Sequence, residues 1–108
     1  MSARLASGIW VAAYLRRLQI EGIPAYVIAR GDETAGAVLV KLALLDGTAR
    51  AYTRGFALET DARVWQVLIE GREPEVDAAI SRQRSFDPDL WVIEVEDARG
   101  RDLLQGME

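Results

Sequence analysis

The chain has no cysteine and no histidine. Without cysteine there are no disulfides, thiolate nucleophiles, iron–sulfur clusters or thiolate zinc sites, and the composition fits a reducing compartment. Without histidine the commonest general base and the commonest metal ligand are gone, and the Ser-His-Asp arrangement with them. Lysine is nearly absent too: Lys41 stands alone among 13 basic residues, the rest being arginine. No Gly-x-Gly-x-x-Gly or phosphate-loop motif occurs, so nucleotides have no recognised cradle and no cofactor is implied. Repeats, linkers and low-complexity stretches are missing, and the three prolines stand at joints. No apolar run is long enough to span a bilayer. Leu5 to Leu15, behind Arg4, resembles a short signal core, but Arg16 and Arg17 follow at once and no small-residue cleavage pattern succeeds them. Helical phasing accounts for it better, because Trp10, Val11, Tyr14, Leu15 and Leu18 form one stripe opposite Ala12, Arg16 and Gln19. A cytoplasmic protein without membrane association is expected.

What is present is the material for one core. The chain has 108 residues, 50% of them apolar, which suits a single α+β domain spanning 1–108. Net charge is −4, unevenly spread: residues 1–54 carry +3 and residues 55–108 carry −7. A folded domain of this kind can present a basic face and an acidic one. The arginines form no run, so generic nucleic-acid binding has no support.

Local signals divide the chain into seven elements. A first helix runs from Ser7, as its N-cap, to Glu21, with Gly22 beyond its end and Pro24 preventing continuation. Ala25 to Arg30 is a strand, and Gly31, Asp32 and Gly36 bracket a turn-rich connection. Ala37 to Leu45 is apolar except for Lys41 and belongs in the middle of a sheet. Asp46-Gly47 predicts a two-residue type I′ hairpin into Thr48 to Arg54. With Leu45 paired to Thr48, Lys41 lies opposite Tyr52, Ala43 opposite Arg50 and Leu39 opposite Arg54. Val64 to Glu70 is half buried, with Trp65, Val67 and Ile69 on one side. Pro74 starts a second helix whose face is Val76, Ala79, Ile80 and Gln83, and Phe86 and Asp87-Pro88 end it. Leu90 to Glu96 is a last strand, followed by a turn through Asp97 to Gly100. The tail at Leu103 and Leu104 is open between strand and helix.

Four segments carry a resemblance to a known family. They are Trp10-Val11-Ala12-Ala13-Tyr14-Leu15-Arg16-Arg17, Arg30-Gly31-Asp32 with Ala35-Gly36-Ala37-Val38-Leu39-Val40-Lys41, Leu45-Asp46-Gly47, and Asp87-Pro88-Asp89-Leu90-Trp91 with Glu94-Val95-Glu96-Asp97. In these the chain resembles, over nearly its whole length, a family of small bacterial proteins catalogued as the domain of unknown function numbered 1491. The resemblance implies one domain and carries no activity, ligand or catalytic residue with it.

Two constellations merit a test. On the predicted hairpin face Lys41, Arg50, Tyr52 and Arg54 set cations beside an aromatic, a pattern suited to a phosphate, a carboxylate or an exposed base. The alternative is that these side chains lie over a covered sheet face or pair with the acidic second half. Asp87, Asp89, Glu94, Glu96 and Asp97 offer oxygen ligands for magnesium, calcium or manganese. An ordinary solvated strand face, with Trp91, Ile93 and Val95 turned inward, explains the same alternation. Arg30-Gly31-Asp32 reads as a turn leaving a strand. Lys41 is open to Schiff-base chemistry or to a structural role.

The expected architecture is an antiparallel or mixed sheet of about five strands, in the order α-β-β-β-β-α-β, with both helices on one face. The segment from Val64 to Glu96 is a candidate parallel right-handed crossover. The favoured function is a non-enzymatic binding or protein-interaction module taking an anionic or protein partner, as monomer or homodimer. A metal-dependent, carboxylate-based enzyme using Asp87 to Asp97 is the alternative, and an RNA-contacting sheet a third reading.

Overall fold

The structure, a computed structural model, describes residues 5–57, 59 and 62–108. Positions 10, 11, 14 and 18 recur at helical spacing, and they are the residues that α1 (Ser7–Ile20) buries. Ser7 is not its N-cap, contrary to expectation. Ala6 holds that position, and the Ser7 hydroxyl donates instead to the Gly36 carbonyl at 2.6 Å. The other end is a Schellman motif: Gly22 sits at φ 72°, its N–H donates to Gln19 and that of Ile23 to Leu18.

Five strands follow the expected order: β1 (Ala25–Ala29), β2 (Val38–Ala43), β3 (Thr48–Ala57), β4 (Ala62–Arg72), then α2 (Glu73–Phe86) and β5 (Trp91–Glu96). They form one mixed sheet in the spatial order β1-β5-β2-β3-β4, with β2 parallel to β5 and the other pairs antiparallel. It follows that β4 and β5 are parallel and that α2 carries the chain across β3 and β2. The fold is α+β.

The helices do not share a face. Val38, Val40 and Leu42 pack with Trp10, Val11, Tyr14 and Leu18 of α1, whereas Leu39 packs with Val76 and Ile80 of α2. Successive strand residues point to opposite faces, so each helix covers its own side. The physical reason lies in β2, all six residues of which are buried. A strand apolar on both faces needs two covers.

The hairpin also departs from the predicted register. Leu44 N–H bonds to the Thr48 carbonyl at 3.0 Å, and the ladder runs Val40↔Tyr52, Lys41↔Ala51, Leu42↔Arg50 and Ala43↔Ala49. The loop therefore has three residues, with Leu45 at φ 63° and Gly47 at φ 89°. The Asp46 carboxylate stabilises it by accepting from the Thr48 N–H and hydroxyl. These bonds hold its pKa below the usual value. The slip of one residue reverses the face of every β3 side chain relative to β2.

The C-terminal tail is neither strand nor helix. It is a strap across α1, in which Tyr14 donates to the Asp102 carbonyl at 2.7 Å and Trp10 to that of Met107 at 2.8 Å. Trp65 also reaches Met107, Arg17 reaches the Gln105 carbonyl, and Leu104 is buried in the same core. Burial, and then the nearby Asp102 charge, raise the Tyr14 pKa far above its ordinary value. Among the described residues no helix is long and apolar enough to cross a membrane.

Candidate functional site

The four residues expected to share one basic face are divided by the observed register. Lys41 points to the α2 side and is only 5% exposed. Its ammonium touches Glu73 at 2.7 Å, Asp77 at 2.7 Å and Glu94 at 3.3 Å. Burial alone would lower its pKa, but bonds to Asp77 and Glu73 and the charge of Glu94 outweigh this and hold it well above normal. Such a lysine stays charged at neutral pH, so it is unsuited to Schiff-base formation.

Arg50, Tyr52 and Arg54 lie on the other face. Arg50 meets Glu70, its cross-strand partner, at 2.8 Å. Tyr52 is buried in the α1-side core, and that burial raises its pKa. The Arg54 guanidinium lies 4.6 Å from the Trp10 ring centre and 4.9 Å from that of Trp65. The basic face read from the sequence is thus divided: Lys41 leaves it, while Arg50, Tyr52 and Arg54 stay together on one side of the sheet. Its charges are spent on Glu70 and on two indoles, contacts that a hairpin read alone has no means of revealing.

The acidic segment is likewise dispersed. Asp87 accepts from the Asp89 N–H, Glu94 holds Lys41, and Asp97 grips Arg101 through side-chain and backbone bonds that lower its pKa. Glu96 lies next to Tyr26, whose pKa is raised first by the Glu96 charge. Among the described residues no group of three acidic side chains is placed to hold a metal ion. One β5 face carries Glu94 and Glu96, while Asp87 and Asp89 precede the strand and Asp97 follows it.

Arg30-Gly31-Asp32 is architectural. A Cβ on Gly31 would fall 2.1 Å from the Asp89 carbonyl oxygen, and one on Gly36 would fall 2.5 Å from the same atom. The two glycines let the loop lie flat against the start of β5. Asp32 N–H then bonds to Asp89, and the Trp91 indole donates back to Asp32 at 2.8 Å.

That loop forms one wall of a cleft that sequence reasoning missed. The ladder between β2 and β3 ends at Val40↔Tyr52, but β3 and β4 remain paired through Ala57↔Ala62 and project as a two-stranded arm. Between the arm, the loop at Thr34 to Ala37 and the C-terminal end of α2 lies a cleft of about 660 Å³. Apolar walls come from Leu5, Leu68 and Leu90, and polar groups from Arg54, Arg63, Gln83 and Asp87. Arg54 is its one residue from the expected basic face, and Asp87 the one from the acidic segment. No local signal in the sequence could have found it, because its walls are far apart along the chain.

Comparison with known proteins agrees with this fold. The chain matches the family described as "Protein of unknown function (DUF1491)" over residues 5–105. The crystal structure of a DUF1491 family protein from Caulobacter crescentus CB15 superposes with a TM-score of 0.79 at 43% identity, covering 91% of this chain and 90% of that one. An NMR structure of a DUF1491 family protein from the same organism gives a TM-score of 0.80 at 40% identity, covering 94% and 93%. A solution structure from A. tumefaciens gives 0.73 at 33% identity, covering 87% and 86%. No curated protein matches the chain. With a family match across nearly the full length and three solved relatives of the same fold, this chain belongs to the DUF1491 family.

Proposed function

We propose that the chain is a non-enzymatic binding module, and that the cleft beneath the β3–β4 arm takes a small organic anion with an apolar body. The observation that carries this reading is the lining of the cleft, to which Arg54, Arg63 and Asp87 contribute beside Leu5, Leu68 and Leu90. A lining that mixes arginine side chains with leucines suits a guest with an anionic head and an apolar body. The cleft's volume of about 660 Å³ lies within the range of small-molecule sites. The chemistry at its rim supports binding over catalysis: the Ser7 hydroxyl is engaged by Gly36, and no histidine or cysteine exists to activate a nucleophile.

The test is an NMR-monitored titration with benzoate and phenyl phosphate as anionic probes and benzyl alcohol as a neutral one. The anions should shift the amides of Thr34, Ala35, Leu68 and Gln83 more strongly than the alcohol does. Leu68→Glu, at a residue 40% exposed, puts a negative charge into the hollow and should weaken anion binding by about tenfold without unfolding the chain. Shifts that map elsewhere, or unchanged binding in the Leu68→Glu variant, would overturn the reading.

A further inference from the structure

Among the described residues the sheet ends on one side at β1, which pairs there with β5 alone and so presents an open strand edge of N–H and C=O groups. Natural edge strands are usually blunted by charge. Ala25–Ala29 has the sequence AYVIA, with no charged side chain, and Tyr26, Val27 and Ile28 are 50%, 37% and 52% exposed. Three adjoining apolar side chains on an open edge mark a contact surface. A register shift between Val27 and Ala29 keeps the straight stretch short, which suits a segment of a few residues.

Charge selects the partner. Tyr26 pairs with Glu94, so Glu94 and Glu96 share its face, and α2 brings Glu73 and Asp77 to the same side. Lys41 is the cation set among them, and it is already bonded to three of the four. A second copy of this chain, pairing edge to edge about a two-fold axis, would bring two such acidic patches together. A basic segment meets the opposite sign. An added strand would lie about 5 Å from β1 and about 10 Å from β5. A lysine or arginine leaning across Tyr26 can cover that span to Glu96.

We propose that β1 is a strand-addition site for a short, extended, basic segment of another protein. Main-chain bonds form along Ala25–Ala29, apolar side chains of the segment pack on Val27, and its basic side chains reach over Tyr26 to Glu96 and Glu94. The site shares no residue with the cleft under the β3–β4 arm. Either reading can fail alone.

The probes are two blocked peptides, one alternating lysine with valine and one alternating glutamate with valine, titrated against the whole chain and followed by NMR. The lysine peptide should shift the amides of residues 25–30 and 94–96, and its affinity should fall as salt is raised. The glutamate peptide should do neither. Val27→Lys should weaken the lysine peptide by about tenfold and Glu96→Gln by about threefold. Should Val27→Lys fail to fold, Glu96→Gln with a native spectrum decides the matter. Equal binding of both peptides overturns the proposal, as does a lysine peptide that leaves the β1 amides unmoved. A concentration-dependent dimer with its shifts at β1 would assign the edge to a second copy instead.

Discussion

Lys41 shows how a single residue can be read correctly in kind and wrongly in place. It is the one polar side chain in a strand otherwise apolar, and its three carboxylate partners come from α2 and β5, distant in sequence. Replacing it with methionine leaves Glu73, Asp77 and Glu94 facing one another without their cation. Removing one partner of a buried ion pair costs several kcal/mol, but these carboxylates are partly solvated, so Lys41→Met should cost about 2–4 kcal/mol in urea unfolding. Because its pKa is raised on folding, its contribution is fully present below the ordinary value of 10.5 and is lost only as pH rises through the higher folded value. The gap between wild type and Lys41→Met should therefore hold constant from neutrality to the onset of base denaturation. A gap that narrowed near pH 8 would mean that the ion cluster is not its source.

Elements were legible where periodicity is strong. The stripe at Trp10, Val11, Tyr14 and Leu18 and the Gly22 terminator sit where the pattern put them, and the second helix begins at Glu73, one residue ahead of the expected Pro74. The hairpin register was not legible, and the cause is one residue. Asp46-Gly47 invites a two-residue turn, yet Leu45 enters the left-handed region and lengthens the loop by one, which moved Lys41 away from Arg50, Tyr52 and Arg54. A leucine at φ 63° is strained, and at 62% exposure it has little packing to lose. Leu45→Gly should therefore stabilise the chain by about 0.5–1 kcal/mol despite the entropy that glycine adds to the unfolded state. Unfolding by guanidinium measures it, and a loss of stability would show that the leucine side chain does something its exposure does not reveal. The two-sided helix arrangement was within reach, since a strand apolar on both faces already demands two covers.

At the scale of the molecule, what the sequence could not disclose is long-range closure. Only the fold brings the Thr34 loop, Arg63 and Gln83 around one hollow, and only the fold turns an undecided tail into a strap. Leu104 and Met107 pack into the α1-side core, and Met107 accepts hydrogen bonds from two tryptophans. Removing residues 102–108 should cost about 3–5 kcal/mol, from the lost apolar burial and the orphaned indole and phenol donors. Thermal unfolding gives the loss, and tryptophan emission should shift to the red as Trp10 and Trp65 meet water. A truncated chain that unfolds at the parent temperature with unshifted emission would mean that the strap is not part of the core.

The same strap sets an order of events during synthesis. Trp10 and Met107 are 97 positions apart, so the bond between them closes a very long loop. While the chain is being made, α1 can curl and the central strands can begin to pair, but Trp10 and Tyr14 lack their strap until residues 102–107 have been added. Until then the Trp10, Tyr14 and Trp65 rings lack the residues that accept their hydrogen bonds, and exposed apolar surface of this kind invites association.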